Sequence, residues 1–387
     1  MKNSEYPFIE NITMSMATST ANMSEPDMTQ PPDASVIIVS VIWSLIIFVG
    51  VIGNGLVIYI LFRYGERSVT NVYVTNLAFA DLMFIVIVVP ATLIHNVIPT
   101  WILGDVICKF STYMIYVTLH ATCLTLSAMT IDRYHAIVNP IQSMNWRSTR
   151  ASSFVSLGVW AVSLCISLPF LLYFKVVQTP GKEMKDCVPQ WPDQEVWSKA
   201  TTLGVVLTTF ILPLTAIMIC YGCILHHLWR GHGMKRQEGH ENESSALAAK
   251  NGKQHRQMER KKRVTRMVAI VVLLFAVCWC PIHFVAMWYQ FDPNFPKTDS
   301  MHYFKLFGHT LSYANSCVNP FVYAFVNDGF RKAILKRSPF LSKMCKCILK
   351  PKTKKEETSL IDKAVEARPG MDGQSEFMTT QTSTCAL

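Results

Sequence analysis

The sequence predicts an all-α membrane protein: a seven-helix bundle across a bilayer, followed by a short amphipathic eighth helix. Three observations predict it. Half of the 387 residues are hydrophobic and only 16% are charged, a balance that suits a soluble globular domain poorly. The apolar residues are clumped into seven blocks, near 36–62, 72–94, 109–131, 153–174, 197–228, 264–288 and 303–326. Most hold an apolar stretch of about 20 residues, which at 1.5 Å per residue crosses a hydrocarbon core of about 30 Å. The segments between and beyond the blocks also differ in charge. Lipid offers backbone groups no partners, so each block has to be a helix.

Taken in order, residues 1–35 form a polar tail with Lys2 against Glu5, Glu10, Glu25, Asp27 and Asp33, and with no cleavable-leader pattern. The connector after the fifth block holds "RQMERKKR" and the far tail "KPKTKK". The positive-inside rule puts the amino terminus outside and the carboxy terminus in the cytoplasm. Asn11 and Asn22 open glycosylation sequons in the outer tail, and Asn242 opens a third in a segment read as internal. Cys108 at the top of the third block and Cys187 in the loop after the fourth are the two cysteines placed to pair in an oxidising space. The seven-helix domain spans 36–338. Its longest connector, 231–262, reads as mobile, with a basic helical end running into the sixth block. "FRKAILKRSPF" sets Phe330 and Ile334 four apart beside Arg331, Lys332, Lys336 and Arg337, as an amphipathic helix on a lipid surface would. The cytoplasmic tail 339–387 begins near Cys345 and Cys347, candidate palmitoylation sites.

A charge at bilayer depth needs a partner or a task. Asp81, midway along the second block, is the main one. Asn315, Ser316 and Asn319 of the seventh block and Thr122 of the third offer neutral oxygens, and a carboxylate among such donors suits sodium. No other cofactor is implied. Pro213, Pro281 and Pro320 interrupt the fifth, sixth and seventh helices beside aromatic or polar residues and mark hinges.

Gly53-Asn54, Leu77-Ala78-x-x-Asp81, Cys108, Asp132-Arg133-Tyr134, Trp160, Pro213 with Tyr221, Phe275-x-x-Cys278-Trp279-x-Pro281 and Asn319-Pro320-x-x-Tyr323 follow one another across all seven blocks. The ordered set resembles class A, rhodopsin-like G-protein-coupled receptors. The resemblance implies that Asp132 restrains Arg133 at rest, with Tyr134 beside it. When the sixth helix swings out, Arg133 is freed toward a heterotrimeric G protein and supported by Tyr221 and Tyr323. Phe275, Trp279, Pro213 and Pro281 then form the activation switch. Lys261 and Lys262 stand where some members carry a second acidic restraint, so higher resting activity is expected.

Ile115 occupies the position of the amine receptors' aspartate and Tyr313 that of the opsins' lysine, which argues against both classes. Ligand-contact candidates are His95, Tyr116, His120, His283, Tyr289, His309 and Tyr313, with Asp186 and Glu195 as acids that steer a basic peptide. "VTNVYVTNLAFADL", "HATCLTLSAMTIDRY" and "VVLLFAVCWCPI" are similar to the kisspeptin, galanin and allatostatin-A receptor group, and lean toward kisspeptin receptors. That implies an amidated neuropeptide ligand acting through Gq, phospholipase C and calcium; a galanin- or allatostatin-A-like receptor acting through Gi is the alternative. Thr379, Thr380, Thr382, Ser383 and Thr384 form a cluster that receptor kinases would phosphorylate for arrestin. A transporter or channel would carry repeats or a polar file, and an enzyme a catalytic motif; the sequence has none of these, and no nucleic-acid partner is implied.

Overall fold

The computed structural model describes residues 34–65, 67–98, 100–178, 184–235, 245–326 and 330, leaving aside the side chains of 230–257, 260 and 326. Asn11, Asn22, Cys345, Cys347, the threonine and serine cluster at 379–384 and the eighth helix beyond Phe330 lie outside the described residues.

Seven long helices carry the fold. They are α1 (Ala34–Tyr64), α2 (Val69–Val97), α3 (Gly104–Val138), α4 (Thr149–Tyr173), α5 (Gln194–Val206, Leu207–Ile211 and Leu212–Lys235 in succession), α6 (Ser245–Phe291) and α7 (Asp299–Val326). Ser68, Ser148 and Asp193 cap α2, α4 and α5, their side chains accepting from the amides of Asn71, Ala151 and Val196 at 3.1–3.2 Å. Among the described residues six helices are long and apolar enough to cross a membrane. The other, α7, has the length at 28 residues, but its run is broken by His302, His309, Ser312, Asn315, Ser316 and Asn319. Large apolar side chains such as Phe48, Phe154 and Met218 point outward, as hydrocarbon surroundings require. α3 is the central post: 78% of its apolar window is buried, against 22% for α1.

Two helices depart from α geometry. Phe84–Val88 in α2 and Leu207–Ile211 in α5 form π turns, each just ahead of a proline, Pro90 and Pro213. A proline nitrogen donates nothing, and the wider turn pairs amides with carbonyls five residues back: Val89 with Phe84, Leu212 with Leu207. The sequence marks the hinge at Pro213 but not the changed winding before it.

The connector between α5 and α6 is shorter than its composition predicts. Helix continues to Lys235 and resumes at Ser245, because Ala, Lys, Gln, Met, Glu and Arg in "SALAAKNGKQHRQMERKK" all favour helix. Between α4 and α5 the chain makes a hairpin that a purely helical reading lacks, β1 (Phe174–Gln178) antiparallel to β2 (Lys185–Pro189), with Val176 opposite Cys187. Cys187 is joined to Cys108 by a disulfide with Cα atoms 5.6 Å apart, which fastens the hairpin to the head of α3.

α1 packs closely because of two glycines. A Cβ on Gly50 would run into the Ile85 side chain and lie 3.0 Å from Cys317 Sγ; one on Gly53 would lie 3.0 Å from the Pro320 ring. α2, α3 and α4 cross on small residues, Ala80, Ala121 and Val159, under Trp160. Asn76 joins the same three helices, accepting from Trp160 Nε1 and donating to Thr125 Oγ1, both at 2.7 Å.

Candidate functional site

Three polar or aromatic levels lie along the bundle axis. Nearest the disulfide is a narrow cleft, partly open to solvent. Its wall includes Ile115 and Tyr116 of α3, Thr202 of α5, Trp279 and His283 of α6, and His309, Ser312 and Tyr313 of α7. No Asp, Glu, Lys or Arg is among the described residues that line it.

The floor of the cleft is a chain of rings. Phe275, Trp279 and His283 lie four apart along one face of α6, with centroid spacings of 6.0 and 5.8 Å. Phe84 contacts both Trp279 and Tyr313, and Tyr313 meets Trp43 of α1 at 4.9 Å. Trp43 in turn donates to Thr310 Oγ1. Among the described residues the buried Nε1 of Trp279 and Nε2 of His283 have no hydrogen-bond partner, which leaves both to a ligand or water.

Of the ligand-contact candidates, Tyr116, His283, His309 and Tyr313 line this cleft together, and the rest sit elsewhere. His95 is buried against Trp101, ring centroids 5.8 Å apart. His120 ties helices together: its Nδ1 lies 2.7 Å from the Tyr116 carbonyl and its Nε2 3.1 Å from Thr208 Oγ1. Cys123 Sγ adds a bond to the Thr209 carbonyl, so α3 holds the π turn of α5 at two points. Tyr289 packs on Phe295 at 4.8 Å. Asp186 is half-buried on β2, and Glu195 is paired with Lys199 at 2.6 Å, which offsets its charge.

The middle level surrounds Asp81. Its Oδ2 accepts from Asn319 Nδ2 at 2.8 Å, and the Ser316 side chain also hydrogen-bonds the carboxylate. Asn54 donates to the carbonyls of Ser316 at 2.8 Å and Gly50 at 2.9 Å, linking α1 to α7. Among the described residues the buried amide oxygens of Asn54, Asn315 and Asn319 find no donor, and the buried Tyr323 hydroxyl finds no partner. Thr122 is buried on α3. Among the described residues no group of three His, Cys, Asp or Glu exists that would hold a transition metal.

The third level lies seventeen residues along α3 from Tyr116, about 25 Å at helical rise. Asp132 and Arg133 are 6% and 5% exposed and form an ion pair. Arg133 also donates to Thr70 Oγ1 of α2 at 2.9 Å. Arg147, which the sequence does not single out, reaches back from the α3–α4 loop to the same carboxylate, Nε to Oδ1 at 2.6 Å and Nη2 to Oδ2 at 3.0 Å. Lys261 of α6 donates to the Ala136 carbonyl at 3.0 Å, in the last turn of α3 where carbonyls lack helical partners. Tyr221 of α5 donates to the Thr265 carbonyl of α6 at 3.0 Å. Tyr134 packs on His135, and His135 on Trp146. Ile141 and Met144, 84% and 80% exposed, stand just past this end of α3 with no protein cover. Tyr323 is wholly buried.

Residues 53–323 match the family model described as 7 transmembrane receptor (rhodopsin family). The KiSS-1 receptor of Homo sapiens is 33% identical over 323 residues, 82% of this chain and 79% of that one. Galanin receptor type 2 of Mus musculus is 34% identical over 324 residues, 81% of each chain. G-protein coupled receptor 54 of Oreochromis niloticus is 33% identical over 308 residues, 79% of each.

Proposed function

This chain belongs to the rhodopsin family of seven-transmembrane receptors, in its kisspeptin and galanin receptor group, and on that premise we propose that it is the receptor for an amidated neuropeptide. Such receptors are not enzymes; they signal from the plasma membrane through a heterotrimeric G protein. The amino terminus and the disulfide end face outward, and the Arg133 end faces the cytoplasm, as the basic connector requires. One observation carries the ligand class: the cleft is walled by aliphatic, aromatic and a few neutral polar side chains, with no charged one among the described residues. A carboxylate entering it would lose its hydration with no cation in return, whereas a carboxamide finds the neutral donors and acceptors of His283, His309 and Ser312. The peptide's end is therefore uncharged and aromatic. Binding against Trp279 and His283 favours the form with α6 displaced, a population shift read out at Arg133. The exposed Ile141 and Met144 beside the freed arginine give the G protein an apolar edge. Receptor kinases and arrestin act on the tail.

Gq, phospholipase C and calcium form the primary pathway of this reading. A galanin-like receptor acting through Gi is the second reading, the likeness to a KiSS-1 and to a galanin receptor being about equal. Sodium fits the middle level, since a buried carboxylate and amide oxygens without donors are a hard-cation donor set. Asp81, Asn315, Ser316 and Asn319, with Thr122 from α3, would hold it, and its charge would favour the closed bundle.

The test is expression in cells challenged with amidated kisspeptin and galanin while calcium and cyclic AMP are recorded. A kisspeptin made as the free acid is expected to be about a hundredfold weaker than the amide. Equal potency of acid and amide, or silence toward both peptides, refutes the ligand assignment.

A further inference from the structure

Asp132 serves two arginines, and not equally. Arg147 takes the fork, one nitrogen to each carboxylate oxygen, at 2.6 and 3.0 Å. Arg133 reaches only Oδ2, with the same Nη2 that donates to Thr70. The paired geometry is the stronger and more directional of the two. Arg147 is also held independently of the moving parts: its amide donates to the Ser143 carbonyl at 2.9 Å in the turn after α3, and its recorded side-chain bonds go to Asp132 alone.

We infer that Arg147 is a positioning residue that keeps Asp132 paired after Arg133 leaves, and so lowers the cost of opening the latch. The inference rests on the receptor reading above. A latch made of one acid and one arginine strands a buried carboxylate when it opens, and an uncompensated buried charge is among the more expensive things a protein can hold. Here the fork stays in place and the acid remains neutralised. The other groups facing this cluster are Tyr73 of α2, Tyr221 of α5 and Lys261 of α6, and none is an acid's counter-ion of comparable geometry. Without Arg147 the acid is neutralised by Arg133 alone, so Arg133 is held more tightly. Arg147 therefore favours activation, the opposite of a residue that simply reinforces the resting state.

The full-length receptor in lipid discs, spin-labelled at the ends of α3 and α6, is titrated with nucleotide-free heterotrimeric Gq or Gi, and the fraction with the labels apart is measured. Arg147→Gln is expected to raise the half-saturating G-protein concentration about tenfold, with Arg147→Lys intermediate because it keeps the charge and loses the fork. In an Asp132→Asn background, where no acid is left to strand, Arg147→Gln should change it less than about twofold. A loss of the same size in both backgrounds makes Arg147 a loop anchor only and overturns the inference. So does no loss in the wild-type background, or a larger open fraction without G protein. If neither G protein moves the wild-type helices, the receptor reading falls and this inference falls with it.

Discussion

Replacing Lys261 by Met tests how the bundle is kept shut in the absence of a second acidic restraint. The ammonium donates to the Ala136 carbonyl at 3.0 Å, across the α3–α6 contact that parts in the activation proposed above. A hydrogen bond from a charged group is worth roughly 1.5–3 kcal/mol when fully buried. Lys261 is only half-buried, and water competes for both partners, so most of that is lost. The dipole at the end of α3 adds a few tenths of a kcal/mol. Against this stands repulsion from Arg133 and Arg147, which Met would relieve, but those charges are neutralised in part by Asp132 and screened at the open mouth. The net is about 1 kcal/mol in favour of closure, or roughly a fivefold change in the closed-to-open ratio. Peptide-free nucleotide exchange on added G protein, normalised to surface receptor, should rise about fivefold for Lys261→Met and stay near wild type for Lys261→Arg. An unchanged rate for Met, or an equal rise for Arg, would show that this bond does not hold the helices together.

Gly50→Ala should lower the melting temperature of the detergent-solubilised receptor, because the added methyl meets Ile85 and Cys317; overpacking of this kind costs about 1–3 kcal/mol, and an unchanged midpoint would contradict the close approach of α1. Asp81→Asn should abolish any effect of sodium against potassium on agonist affinity, and persistence of that effect would move the cation elsewhere. In the α6–α7 loop, the Asp292 carboxylate is held below its ordinary range by the indole N–H of Trp288 at 3.0 Å and the amide of Asn294 at 2.9 Å. A depressed value means that its stabilising contribution is present above the unfolded value and lost as pH falls through the folded one. Wild type should thus melt slightly above Asp292→Asn at neutral pH, and the gap should close below about pH 4. A gap that persists in acid would mean that the contribution is not ionic.

The spans were legible because apolar run length is a local property: α1 to α6 announce themselves, and the polar spacing of Asn315, Ser316 and Asn319 gives away which face of α7 turns inward. Cys108 and Cys187 were legible as the two thiols on one side of the membrane. Phe275 and Trp279 were legible through the family motif and His283 as a contact candidate; that the three rings stack along one face of α6 is what the structure adds. What depended on how chains cross was hidden. His120 lies one helical turn from Tyr116 on the same face of α3, yet meets Thr208 rather than the cleft, because α3 is buried all round and its burial has no clear period. Arg147 sits in a short loop where a basic residue is already expected, so nothing in its spacing reveals that it turns back onto Asp132. The α2 and α5 π turns follow from Pro90 and Pro213 only once the direction of each freed carbonyl is known.

The polar character of α7 also bears on how the molecule is made. A segment with two histidines, two asparagines and three serines spread over 28 residues gains little by entering hydrocarbon alone. Asn54, Asp81 and Trp43 offer it partners, and all three belong to helices synthesised earlier. The last crossing is therefore templated: α1 and α2 must already be threaded and side by side before α7 can settle. A nascent chain with Asn54 and Asp81 both replaced by leucine should leave its final segment stranded outside the bilayer, even though that segment is unaltered.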